Sequence, residues 1–365
     1  MQIKITSGTL KDALGMVRDS ADARGTLPIL GFVKMETVGE DSVRLTTTNL
    51  DTTMTVDCPC EVKVAGAAVL PHGYLSSVVG GLPAGEIVIA CDKSDGSEKA
   101  LVTSGDARFR MQTADIKNFP VAAPVEGAGI VVGKANLASL LKKSSYASST
   151  DETRRSLMSV LLELKGDTIA AVATDGRRLG FATCPAKETE NAPSADAQAM
   201  LPTAAVKVVR KMLGGEGDVR IRLSGKAAEF TTSSATLMTK LIDDIYPNYR
   251  RVIPSDGEMV SVDVEMLRNA VSLAALSASE GSVINLTFDK GFISISSSND
   301  MAESALSIPA KGDVPATNIH MDARYLLDVL NSLDDDEVVV SIVNGTSPLK
   351  FKEGESALAV IMPMR

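Results

Sequence analysis

Val43-Arg44-Leu45-Thr46-Thr47-Thr48-Asn49-Leu50 joins a short apolar strand to a Ser/Thr-rich step, an Asn and a second apolar stretch. The pattern returns as Ile169-Ala170-Ala171-Val172-Ala173-Thr174-Asp175-Gly176 and as Phe292-Ile293-Ser294-Ile295-Ser296-Ser297-Ser298-Asn299-Asp300. Asn49, Asp175 and Asn299 stand 126 and 124 residues apart. A period of domain length predicts one fold present three times. It points to assembly around an axis before it points to a catalytic cleft.

Other elements return at the same interval. Helical periodicity opens each third with Leu10, Leu14 and Val17, then Leu137, Leu140 and Leu141, then Leu267, Ala270, Val271 and Ala274. A second helix is predicted over 71–80, 203–213 and 322–333, where Pro71 and Pro202 suit a helix start and Asp322 an N-cap. Each third reads as strand, helix, strands, strand, helix, strands. The expectation is an α+β fold of three repeated domains, each a duplicated βαβββ unit. Pro, Gly and polar residues near 124–129 and 254–257 suggest domains 1–126, 127–254 and 255–365. The polar stretch 187–198 reads as an internal loop.

A chain of 365 residues with 44% hydrophobic content can bury two or three cores, and with 4% aromatics and no Trp their packing is aliphatic. The start, Met1 to Thr6, alternates like a strand and shows no secretory leader. No apolar run reaches the roughly 18 residues of a membrane span. Cys58, Cys60, Cys91 and Cys184 lack disulfide or zinc spacing. A cytoplasmic setting without membrane contact is expected.

The net charge of −9 argues against nucleic acid only as a total, because a local field can carry the opposite sign. Lys207, Arg210 and Lys211 form one stripe on the helix over 203–213, and Lys134, Lys142 and Lys143 lie on a helix over 133–148; neither helix carries Asp or Glu. Lys11 and Arg18 share a face of the first helix. The acidic surplus lies elsewhere, as at Asp334 to Glu337. Segregation of this kind favours a phosphate-facing surface. Without aromatic interleaving or a helix-turn-helix, binding would be sequence-independent and sliding.

Chemistry is hard to find. His72 and His320 have no nucleophile with an orienting acid beside them, and His72 reads as a capping or surface group. Cys58-Pro59-Cys60 has the wrong spacing for zinc. Gly214-Gly215-Glu216-Gly217 follows a helix and reads as a C-cap. Asp51, Asp175 and Asp300 recur with the repeat, so a turn role is preferred to acid-base work. No enzyme, cofactor or metal is expected. A peptide-binding scaffold gives no reason for acid-free basic helices, and a hydrolase calls for an unrepeated titratable cluster.

Four stretches in order resemble the bacterial β sliding clamps, the processivity subunits of replicative DNA polymerase: Thr26-Leu27-Pro28-Ile29-Leu30-Gly31, Ala173-Thr174-Asp175-Gly176-Arg177-Arg178-Leu179, Tyr246-Pro247-Asn248-Tyr249-Arg250-Arg251-Val252-Ile253-Pro254 and Val360-Ile361-Met362-Pro363-Met364-Arg365. The resemblance implies a non-catalytic homodimer, closed head to tail around double-stranded DNA. It implies that the polymerase catalytic subunit, the clamp loader, and repair and translesion polymerases dock short peptide motifs in a groove between the second and third domains. Carried over by position, that pocket comprises Leu157, Thr174, Gly176, Arg177, Arg178, Leu179, Pro247, Val252, Val360 and Met362, with Pro363, Met364 and Arg365 at its rim. Arg178 is expected to hold polar peptide atoms. Arg24 matches a family DNA contact, and Lys11, Arg18, Lys142, Lys143, Arg154, Lys207, Arg210 and Lys211 join it as expected contacts. The dimer seam is expected to pair Arg108, Phe109, Arg110 and Met111 with a surface including Leu276, Asp300 and Glu303.

Overall fold

Gln2–Thr6 forms a strand because Ile3 and Ile5 alternate inward while their neighbours face out. Thr6 then caps the next element, helix α1 (Ser7–Val17), its hydroxyl accepting from the Thr9 amide at 3.2 Å. The strands Phe32–Val38, Ser42–Thr48 and Thr52–Pro59 complete the first βαβββ unit. This computed structural model describes residues 1–92, 99–190, 197–278 and 281–364.

The order recurs to give six units, and their remaining helices are α2 (His72–Gly81), α3 (Lys134–Ser145), α4 (Thr203–Met212), α5 (Val264–Ala275) and α6 (Ala323–Ser332). The ends of α2, α3, α4 and α6 lie within three residues of those expected, where helices fray. Asp322 does cap α6, accepting from the Arg324 amide at 2.9 Å. Asp263 serves α5 likewise, accepting from Met266 at 2.7 Å. The α+β reading holds, with two additions among the described residues: the short strands Glu61–Val64 and Glu188–Glu190. Glu188–Glu190 lies in the stretch read as a loop, and it pairs antiparallel with Ala128–Gly133. Residues 191–196 of that stretch lie outside the described residues.

The recurring sequence signature is a hairpin closed by one side chain. Asn49 Oδ1 accepts from the amides of Asp51 and Thr52 at 3.1 and 2.7 Å, and Asp175 Oδ1 from Arg177 and Arg178 at 2.9 and 3.0 Å. Asn299 Oδ1 accepts from Met301 and Ala302 at 2.9 and 2.8 Å. An Asx side chain imitates a backbone turn in this way. The turn role therefore falls to Asn49, Asp175 and Asn299, while Asp51 bonds Lys240 at 3.0 Å.

The chain forms two compact units. One contains Met1–Lys134, Glu188–Ala192 and Lys207–Leu241, with a five-stranded and a nine-stranded sheet. The other contains Ala135–Lys187, Pro193–Val206 and Ile242–Arg365, with an eight-stranded and a four-stranded sheet. In the nine-stranded sheet Ala235–Lys240 pairs with Thr52–Pro59, and in the eight-stranded sheet Ala357–Ile361 pairs with Arg178–Pro185. The last strand of one third thus joins the last strand of the preceding third's first βαβββ unit. Ala107–Gln112 and Glu303–Pro309 hold the two equivalent places that remain, and each lies at the edge of its sheet.

The cores are aliphatic as expected, with Phe230, Phe288 and Phe351 their largest fully buried side chains. His72 is buried rather than a cap or surface group, and its Nε2 lies 3.0 Å from the Leu14 carbonyl, tying α2 to α1. Among the described residues no helix is long and apolar enough to cross a membrane.

Candidate functional site

The turn at Asp175 carries five of the thirteen expected pocket residues: Thr174, Gly176, Arg177, Arg178 and Leu179. Thr174, buried, donates its hydroxyl to the Arg178 carbonyl at 2.7 Å and accepts from the Gly176 amide at 3.1 Å. This fixes Gly176, whose φ of 89° suits a residue without Cβ. The Arg177 carbonyl accepts from the Met362 amide at 2.8 Å, which fastens the chain's last segment to the turn. Leu179 and Val360 face each other across the ladder, 1% and 2% exposed, in one apolar cluster with Leu161, Val172, Met200 and Tyr249. They form a floor. Val252 and Met362 are 48% and 42% exposed, and Pro247, Gly176 and Arg177 are exposed too. Leu157, Pro363 and Met364 are half-buried. Arg365 lies outside the described residues.

Arg178 has partners within the protein. Its Nε bonds Asp175 Oδ2 at 3.0 Å, a second nitrogen bonds Asp328 of α6, and its guanidinium lies over the ring of Tyr325. Two of its five N–H donors are thus engaged inside the protein. Asp328 and Tyr325 are beyond the reach of sequence reasoning, since they lie about 150 residues from Arg178.

Arg154, an expected DNA contact, lies at this turn with its side chain 57% exposed. Its guanidinium donates to the Asp175 carbonyl at 3.4 Å and pairs with Asp151 at 3.5 Å. A buried Glu163 supports the floor from below, accepting from Gln198 at 2.8 Å, Tyr249 at 2.8 Å and Arg250 at 2.7 Å.

Among the basic residues, Lys11, Arg18, Arg24, Lys207 and Arg210 are exposed. Lys11, Arg18 and Lys211 line a cleft of about 840 Å³ beside α1 and α2, together with Asp12 and His72. The helices α3 and α4 carry no acid, yet folding brings acids to them. Lys143 is mostly buried against Glu353 at 2.7 Å and Asp334 at 3.1 Å, so its place is structural. Lys142 pairs with Asp334 at 2.8 Å, and Lys211 with Asp19. Burial alone would raise the Asp334 carboxyl, but bonds from Lys142, Ser139 and Lys143 hold it well below the usual range.

Of the seam residues, Arg108 and Arg110 face outward while Met111 is buried and Phe109 half-buried, because side chains alternate along Ala107–Gln112. Met111 thus serves its own core. Leu276, at the end of α5, is 80% exposed, and Asp300 and Glu303 are exposed.

No group of three His, Cys, Asp or Glu suited to a metal occurs among the described residues. Burial pushes the Cys58 thiol up to about 12, with Cys60 and Asp57 adding to the effect, so it stays protonated near neutrality.

Residues 1–123, 131–248 and 250–365 match the N-terminal, central and C-terminal domains of the DNA polymerase III beta subunit. The chain is 28% identical over 377 residues to the beta sliding clamp of Caulobacter vibrioides and 29% over 378 residues to that of Pseudomonas aeruginosa, covering 100% of both proteins in each case. A crystal structure of the Pseudomonas aeruginosa sliding clamp bound to griselimycin resembles it with a TM-score of 0.92 at 27% identity, over 100% of this chain and 99% of that one. With three domains matched in order along an uninterrupted threefold repeat, this chain belongs to the DNA polymerase III beta subunit family, the non-catalytic beta sliding clamps of DNA replication.

Proposed function

We propose that two copies of this chain close head to tail into a ring around duplex DNA and tether replication proteins by their peptide motifs. The observation that carries this is the pairing rule. Third-to-third strand pairing occurs twice within the chain, and the equivalent strands Ala107–Gln112 and Glu303–Pro309 are left as edges. A bare edge is a template for a further strand. Pairing each edge with the other edge of a second copy satisfies both, and the operation closes because each copy supplies one of each. Arg108, Phe109 and Arg110 on one side and Leu276, Asp300 and Glu303 on the other are the seam in this reading. The domains are 1–126, 127–254 and 255–365.

Duplex contact falls to Lys11, Arg18, Arg24, Lys142, Lys207, Arg210 and Lys211, through phosphates and without base readout. Arg154, 57% exposed, joins them, while Lys143 is left out because it is mostly buried against Glu353. The groove over Leu179 and Val360 takes an apolar anchor from client peptides, which polymerase, clamp-loader and repair proteins would present. Met362 suits varied anchors because its side chain is adaptable. The protein would act in the cytoplasm.

The decisive experiment loads the protein on nicked circular plasmid and then linearises it. Retention on the circle and release from the line is expected; equal retention on both forms would refute encirclement.

A further inference from the structure

Lys142 and Lys211 each meet a carboxylate that sequence distance hides. Lys142 Nζ lies 2.8 Å from Asp334 Oδ1 and 3.0 Å from the Leu333 carbonyl, just past the end of α6. Lys211, in the last turn of α4, pairs with Asp19, just past the end of α1. Both pairs are open to water, with side chains 34% and 42% exposed in the first and 52% and 36% in the second. The neighbouring Lys143–Glu353 pair is of another kind, its carboxylate only 2% exposed and bonded to the Asp334 and Asp335 amides. An isolated pair open to solvent, as Lys211–Asp19 is, is held by a kcal/mol or less and exchanges partners readily, whereas Asp334 is bonded by Ser139 and Lys143 as well as by Lys142 and yields less easily. Buried pairs do not exchange in this way.

We propose that Asp19 and Asp334 are built-in counter-charges, which a DNA phosphate must displace from Lys211 and Lys142, and which keep the grip on duplex weak. The proposal rests on the DNA reading above. A lysine that meets a phosphate directly releases one condensed cation, and each such contact adds about 0.9 to the slope of log affinity against log salt. A lysine that trades a carboxylate for a phosphate leaves that carboxylate to gather a cation of its own, so the net release is close to nil. Lys11 and Arg18 line the same cleft as Lys211, so a phosphate entering there meets exposed cations beside the one that Asp19 partly neutralises. The result is contact without strong retention, as translocation requires.

The test measures binding of a fluorescent short duplex to full-length wild type, Asp19→Asn and Asp334→Asn between 50 and 200 mM salt. Each substitution should tighten binding and steepen the slope by about 0.9, so that the affinity ratio across this range grows about 3.5-fold per variant. Unchanged or weaker binding with an unchanged slope overturns the proposal. Among the described residues Asp19 pairs with the exposed Lys211, so Asp19→Asn carries the test if Asp334→Asn unsettles the α3–α6 junction. Plasmid retention of the wild type separates the two failures. If circles are retained while the slopes stay alike, the counter-charge idea alone falls; if circles are not retained, the DNA reading falls with it.

Discussion

The guanidinium carbon of Arg178 lies 4.5 Å from the centre of the Tyr325 ring and 5.7 Å from that of Tyr146. With Asp175 and Asp328 at its edges, this one side chain ties the pocket-bearing turn to α6. Lys could not replace it, because a point charge cannot serve two carboxylates and a ring face at once. Arg178→Ala leaves the mostly buried Asp175 without its partner, so unfolding free energy should fall by about 3 kcal/mol. Asp328 is half exposed, and Asp328→Ala should cost only about 1 kcal/mol. Urea titration of the two variants distinguishes these values; equal costs would mean that Asp175 does not depend on Arg178.

Floor and rim of the groove should separate in experiment. Met362 is exposed, so Met362→Ala should leave the unfolding midpoint in place while weakening a client peptide by more than about 1 kcal/mol. Leu179 is in the core, and Leu179→Ala should lower stability by about 2–5 kcal/mol through the cavity it leaves. Calorimetric peptide titration alongside thermal melts checks both. Intact peptide affinity in Met362→Ala would move the binding site elsewhere.

The threefold fold was legible because its marks are local. An Asx turn needs one side chain and the next three residues, and a βαβββ unit shows its periods in a short window. What stayed hidden was the partner of each charge. Asp334 reaches Lys142 across 192 residues, and Asp328 reaches Arg178 across 150. The absence of acid along α3 and α4 says nothing of acids brought to them by folding. For Arg154 too the sequence shows a charge, and only the fold shows the Asp175 carbonyl beside it. His72 was misread because neither a capping nor a surface assignment anticipates the Leu14 carbonyl on the neighbouring helix.

Asp256 gives a pH signature. Bonds from Lys350 and then Lys352, at 2.5 and 2.7 Å, lower its carboxyl from 3.8 to about 2. A depressed carboxylate stabilises the fold above its unfolded value, and that contribution fades as pH falls from about 4 to about 2. Asp256→Asn should therefore be less stable than wild type at pH 6, and the gap should close by pH 2. Urea midpoints across this range test the sign. A gap constant with pH would mean that the loss comes from packing and not from charge.

Leu276 offers the clearest test of the seam. It is 80% exposed at the end of α5, with the half-exposed Leu273 one turn before it. Burying a leucine stabilises an interface by about 1.5–3 kcal/mol, and a head-to-tail pair would bury it at both of its seams. Leu276→Asp removes this contact twice and places a charge in each seam, so the dimer should weaken by at least about 3 kcal/mol, more than a hundredfold in dissociation constant. The unfolding midpoint of the chain itself should scarcely move, since an exposed side chain contributes little within one copy. Sedimentation equilibrium should then show monomer at concentrations where wild type is dimeric. A dimer of unchanged affinity would mean that the exposed end of α5 faces solvent and that the two edge strands meet without it.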